Sequence, residues 1–266
     1  MYLTNKQRRK IRLLTGTYIA IGAISLLAFL AFGPYNEDLT LLILGLLMLL
    51  LSPVIYKVGR YGEGQAKLIN KGNKLVLGQL RPAEFLQIYE ETRNNPDNVM
   101  AEPKFDVLQM VLLAYDVLGK TEEAFDTFAL MATVAPEKKR HLLKGLQASL
   151  LYGSGKVEQA EKLYTELLNT KLDIMAAAVM NALTNADRAM ARGDFATAEA
   201  YFNRTLAQTF PKPNPLGVVQ THFNLATIYL KTNRAEEAKA HLDYCIAHGG
   251  ETIFQSQSQT LRNNLS

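Results

Sequence analysis

Tyr115 to Pro136, reading YDVLGKTEEAFDTFALMATVAP, is the stretch that most narrows what this chain can fold into. Gly119 follows the aromatic residue by four positions, and Glu122, Glu123, Ala124, Phe128 and Pro136 come after it. That order describes one helix ending at a glycine turn and a second helix coming back, closed by a proline that cannot continue it. One such pair cannot bury its own apolar face, so relatives of it must stack alongside.

Three relatives follow. The first unit, about 105–138, carries Leu108, Val111, Leu112 and Tyr115 at three- and four-residue spacing, which makes one apolar helical stripe. Ala124, Phe128 and Ala132 form the stripe of its returning helix. The second unit, about 141–174, has Ala148 and Leu151, then GSGKVEQA with Gly155 and Ala160, then Tyr164 and Leu167. The third, about 179–211, has Ala182, Ala186 and Ala189, then RGDFATA with Gly193 and Ala198, then Phe202, Leu206 and Pro211. In the fourth, about 219–250, Leu225, Ala226 and Tyr229 precede Asn233 at the turn, and Ala238, Leu242 and Cys245 line the second helix. Paired amphipathic helices at a near-regular period predict an all-α fold, a solenoid with one concave face.

Over residues 104–250 this series resembles the tetratricopeptide-repeat family, in a divergent form. The turn residues Gly119, Gly155, Gly193 and Asn233 stand 36, 38 and 40 positions apart, against a family period of about 34. Longer loops such as FPKPNPLG at 210–217 absorb the excess. The resemblance implies a groove lined by the first helix of each pair, bound by a protein or peptide. It places Gln109, Leu113, Asp116, Ser149, Tyr152, Leu183, Asp187, Met190, Phe223, Asn224 and Thr227 in that groove. The Lys and Asn pairing with which some members clamp a peptide carboxylate is not reproduced, since only Asn224 stands at such a position.

Ahead of the repeats, Leu13 to Phe32 is a run of twenty uncharged residues and Leu39 to Tyr56 a run of eighteen, near the roughly 20 residues a helix needs to cross a bilayer. Six residues, GPYNED, join them. The expectation is a two-helix membrane anchor over 1–60, with spans at about 13–32 and 39–56 in the lipid bilayer. Basic residues flank the pair on its outer sides, which places the N-terminus and the repeats in the cytoplasm. A cleaved secretory signal fits less well, because the first run exceeds the usual length and no clear cleavage site follows. Residues 61–103 then read as a connecting segment with a degenerate first helix pair, in which Pro82 stands in a first helical turn. Residues 251–266 read as a capping helix or a frayed tail.

Composition narrows the function further. The chain carries 29 Lys and Arg against 25 Asp and Glu. Seven of the basic residues fall in the first sixty, against only Glu37 and Asp38, so the remainder is nearly neutral and lacks the footprint of a nucleic-acid-binding domain. One cysteine, Cys245, excludes an internal disulfide and a multi-cysteine zinc site. The four histidines, His141, His222, His241 and His248, do not form a metalloprotease pair, and no phosphate-binding or nucleophile motif occurs. Glu122, Glu123, Glu236 and Glu237 stand in first helical turns, where negative charge is favourable for the helix itself.

The expectation is therefore no catalytic residue, no metal and no cofactor. The function read from the sequence is a membrane-anchored scaffold or adaptor that binds a protein or peptide at the cytoplasmic face, in assembly of a membrane complex. The alternative is a peptide-responsive regulatory sensor.

Overall fold

The computed structural model describes residues 64–94, 103–169, 185–208 and 213–265, together with positions 16, 17, 19, 47 and 51. The chain divides into two compact units, residues 1–70 with 91–103, and residues 71–90 with 104–266. Every regular element among the described residues is helical.

One expectation is corrected. Among the described residues no helix is long and apolar enough to cross a membrane, which overturns the reading of a two-pass integral membrane protein with a cytoplasmic repeat domain. The longest helix that can be bounded, Pro215–Lys231, has 17 residues and carries histidine, glutamine and lysine, short of the roughly 20 apolar residues a span requires. The runs 13–32 and 39–56 fall outside the described residues except at the five isolated positions.

Helix α1 covers residues 64–72 and passes directly into a π-helical stretch, Asn73–Gly78. Helix α2, Pro82–Asn94, starts on the proline, whose fixed φ and missing N–H suit a first turn. Four helical pairs follow. The first is α3 (Phe105–Val117) with α4 (Thr121–Val134), and the second is α5 (Arg140–Gly153) with α6 (Val157–Leu168). The third joins α7, described over 185–192, to α8 (Phe195–Ala207). The fourth is α9 (Pro215–Lys231) with α10 (Ala235–His248), after which α11 (Ile253–Asn263) packs on α10.

All four pairs turn in the same way. Gly119, Gly155, Gly193 and Asn233 lie at φ of 72°, 74°, 74° and 62°, the left-handed region that glycine enters freely and asparagine tolerates. The N–H after each turn residue donates to a carbonyl of the first helix, from Lys120 to Tyr115, Lys156 to Leu151, Asp194 to Ala189 and Arg234 to Tyr229. Five residues beyond each turn stands an alanine, Ala124, Ala160, Ala198 or Ala238, and each is fully buried. A larger side chain there would force the two helices apart, which is why a small residue recurs at that spacing.

Other ends are sealed locally. The Asp194 carboxylate accepts from the Thr197 N–H at 3.2 Å, and the Asn214 side chain accepts from the Gly217 N–H at 2.9 Å, with Pro215 opening α9. Neighbouring pairs share their cores. Phe105, Leu108, Leu112, Phe128 and Met131 of the first pair enclose Leu150 of the second. Ala186, Ala189 and Phe202 of the third pack with Leu225, Ile228 and Tyr229 of the fourth.

Candidate functional site

Counting back from each turn residue, positions four and seven pack into the pair: Leu112 and Tyr115, Ala148 and Leu151, Ala186 and Ala189, Ala226 and Tyr229. Positions three and six lie beside them on the next strip of helix surface. They hold Leu113 and Asp116, Ser149 and Tyr152, Asp187 and Met190, Thr227 and Leu230. Except for Leu230, these are residues that the sequence reading assigns to the groove.

Three of them, from three different pairs, form one polar group. The Ser149 hydroxyl on α5 donates to Asp187 Oδ2 on α7 at 2.6 Å. Burial pushes the Asp187 carboxyl up to about 6, the Ser149 hydrogen bond opposes the rise, and the negative charge of Asp116 on α3 adds to it. The protein atoms crowded around it also push Asp116 up, although the residue is exposed to solvent. A carboxyl at a crowded surface behaves in this way, because it touches water yet has much of its hydration shell replaced by protein. Tyr201 on α8 belongs to the same neighbourhood, its hydroxyl raised by burial and by the Asp187 charge. Among the described residues neither Asp116 nor Asp187 makes an ion pair.

Tyr152 makes a separate set of contacts. It is buried, and its hydroxyl donates to Glu161 Oε1 at 3.1 Å. Arg188 and Arg192 hold the same carboxylate, with contacts of 3.0 Å and 2.7 Å. The Arg188 hydrogen bonds lead in drawing Glu161 down to about 2, while burial and then Glu161 push the Tyr152 hydroxyl up to about 12. The Arg188 guanidinium also lies over the Tyr164 ring, 4.2 Å from its centre. Tyr152 is thus part of the joint between the second and third pairs.

Gln109 and Leu113 are half-exposed on α3. Met190 packs against the core shared by the third and fourth pairs. The Phe223 ring lies 5.3 Å from that of Phe254, so α11 covers part of the fourth pair's first helix. Thr227 uses its hydroxyl within α9, donating to the Phe223 carbonyl at 3.0 Å, and Asn224 beside it is half-buried. Leu183 lies outside the described residues.

A further occupant of these helices had no counterpart in the sequence reading. The stretch Asn73–Gly78 packs on both α3 and α9, the first helices of the first and last pairs. Leu75, Val76 and Leu80 are buried, Val76 completely. A Cβ at Gly72 would stand 3.0 Å from the Met110 side chain on α3. Leu80 sits at φ 52°, and its carbonyl accepts from the Glu251 N–H at 3.0 Å. At Gly250, φ 59°, a Cβ would meet that carbonyl oxygen at 2.6 Å.

The remaining reactive groups are occupied by structure. Cys245 is buried with its thiol toward the Val219 carbonyl at 3.4 Å, and burial pushes it up to about 11, away from the thiolate needed for reactivity. His222 and His241 approach through their Nδ1 atoms at 2.8 Å, and Tyr244 stacks on His222 with ring centres 3.8 Å apart. Burial, then His241 and His248, hold His222 down to about 4. Among the described residues there is no group of three or more side chains able to hold a metal. The chain matches no protein-family model, no curated protein and no solved structure.

Proposed function

We propose that this chain is a non-enzymatic scaffold or adaptor, a helical solenoid of the tetratricopeptide-repeat kind, whose first-helix face binds a segment of a protein or peptide partner. Confining a partner in this way raises its effective concentration without any chemical step. The observation that supports the reading is the convergence of Asp116, Ser149 and Asp187 from three pairs, with both carboxyls partly stripped of water. Desolvated carboxylates cost stability, and such groups gather where a ligand uses them. A partner segment bearing a lysine or arginine beside apolar residues restores the missing countercharge and covers Leu113.

A peptide array probed with the purified full chain tests this. Wild type should select peptides carrying a basic residue, and the double substitution Asp116→Asn with Asp187→Asn should lose them. Identical selections by the two proteins would remove the face from the argument. A second reading, a peptide-responsive regulatory sensor, is supported by the unusual backbone of residues 73–80.

A further inference from the structure

We propose that residues 73–80 are an exchangeable ligand of the chain's own first-helix face, seated between the first and last pairs and displaced by an apolar segment of a partner protein. The proposal rests on the reading that this face binds partner segments, and it adds how the face is kept closed. The segment NKLVLGQL packs on α3 and α9. It buries Leu75, Val76 and Leu80, and it gives the Leu80 carbonyl to the Glu251 N–H. An apolar side chain at each of three positions, adjacent and then four further on, with one main-chain hydrogen bond, is how a short peptide is held in a groove.

Its backbone is the second observation. Six consecutive residues are π-helical, and Leu80 occupies a left-handed conformation that a leucine side chain disfavours. Both persist because the surroundings fix them: Gly72 lets the backbone close on Met110, and Gly250 leaves room for the Leu80 carbonyl. Strain of this kind is held at clamps and switches, where leaving the site releases it. On leaving, residues 73–78 continue α1 as ordinary α-helix and Leu80 returns to a common conformation. The incoming segment is therefore one with the same spacing, two adjacent aliphatic residues and a third four positions after the second.

The test uses the full chain carrying Val76→Asp, which alters the seated segment and leaves α3 and α9 intact, with a fluorescein-labelled peptide of residues 71–82. Fluorescence anisotropy should show the peptide binding Val76→Asp at least ten-fold more tightly than wild type, because in wild type a tethered copy competes at an effective concentration on the order of millimolar. A peptide carrying the same substitution should not bind. In wild type, hydrogen exchange at 73–80 and at the Glu251 N–H should run at least ten-fold faster than in α9 and α10.

Failure of the peptide to bind a helical Val76→Asp protein would overturn the proposal. So would loss of helical structure in that variant, since a removable segment leaves the pairs folded, or exchange at 73–80 as slow as in α10. A concentration-dependent dimer by light scattering would assign the segment to a second copy and overturn the partner reading. The array result turns on Asp116 and Asp187 and this one on Val76, so either can fail alone.

Discussion

Replacing Asp187 by asparagine should stabilise this protein at neutral pH. The Asp187 carboxyl rises from an ordinary 3.8 to about 6, chiefly through burial, and such a rise corresponds to about 3 kcal/mol between the two protonation states. The folded state holds the proton more tightly than the unfolded chain does. The favourable contribution is therefore complete below about pH 3.8 and is lost as pH rises through about 6, leaving the fold to bear the cost of a desolvated carboxylate at pH 7.5. Asparagine keeps the carbonyl oxygen that accepts from Ser149 and carries no charge, so Asp187→Asn should gain up to about 3 kcal/mol at pH 7.5, less what water penetration and local relaxation already recover. Urea unfolding followed by circular dichroism, run on both proteins from pH 4 to 8, measures the difference at each pH. It should be near zero at pH 4 and grow between pH 4 and 7. A variant less stable than wild type at pH 7.5, or a difference that does not change with pH, would refute the argument that burial controls this carboxyl.

The turns make a graded series. Gly155→Ala and Gly193→Ala meet no neighbouring atom and should each lose about 1 kcal/mol from positive φ alone, whereas Gly119→Ala should lose more, because its Cβ would stand 2.3 Å from Ile253 Cδ1; urea midpoints give the order. Glu161→Ala strips Arg188, Arg192 and the Tyr152 hydroxyl of their shared acceptor and should cost about 2 kcal/mol by the same assay. His222, lowered to about 4, contributes stability that is present above about pH 6.5 and is lost as pH falls through about 4; its imidazole resonance should stay in the neutral position at pH 5.5 in an NMR titration. Val76→Asp should uncouple the ends of the array, so that hydrogen exchange in α3 speeds up more than in α6.

Much of the pair structure could be read directly from residues. A left-handed turn needs glycine or asparagine, and a close helix crossing needs alanine five residues later, so both leave marks that survive at Gly119 and Ala124, Gly155 and Ala160, Gly193 and Ala198, and Asn233 and Ala238. These are local requirements, and local requirements are what a sequence pattern records. Placing Asp116, Ser149 and Asp187 off the packing stripe was within reach for the same reason. Their convergence was not, because it depends on how three pairs stack, and no spacing in the chain encodes the 2.6 Å contact between Ser149 and Asp187. Position three before the turn is exposed at Asp116 in one pair and turned toward a neighbour at Tyr152 in another. Arg188 and Glu161 decide which, and they belong to different pairs. Tyr201 lies on the second helix of its pair, outside the first-helix positions that the repeat pattern marks.

The segment 73–80 was illegible for a different reason. NKLVLGQL reads as a helix that is running out, and a leucine is the last residue from which a positive φ would be inferred. What holds Leu80 there is Gly250, 170 positions away in sequence. The consequence is structural as well as local. In a stacked array each pair touches only its neighbours, so stability is a sum along the line and the ends fray first. Here residues 73–80 touch α3 and α9 together, and the α3–α4 turn at Gly119 meets Ile253 at the start of α11. First and last pairs therefore share contacts that a linear array lacks, and displacing the segment should change the stability of both ends at once. Under the function proposed above, partner binding and the coupling of the two ends would be set by the same eight residues.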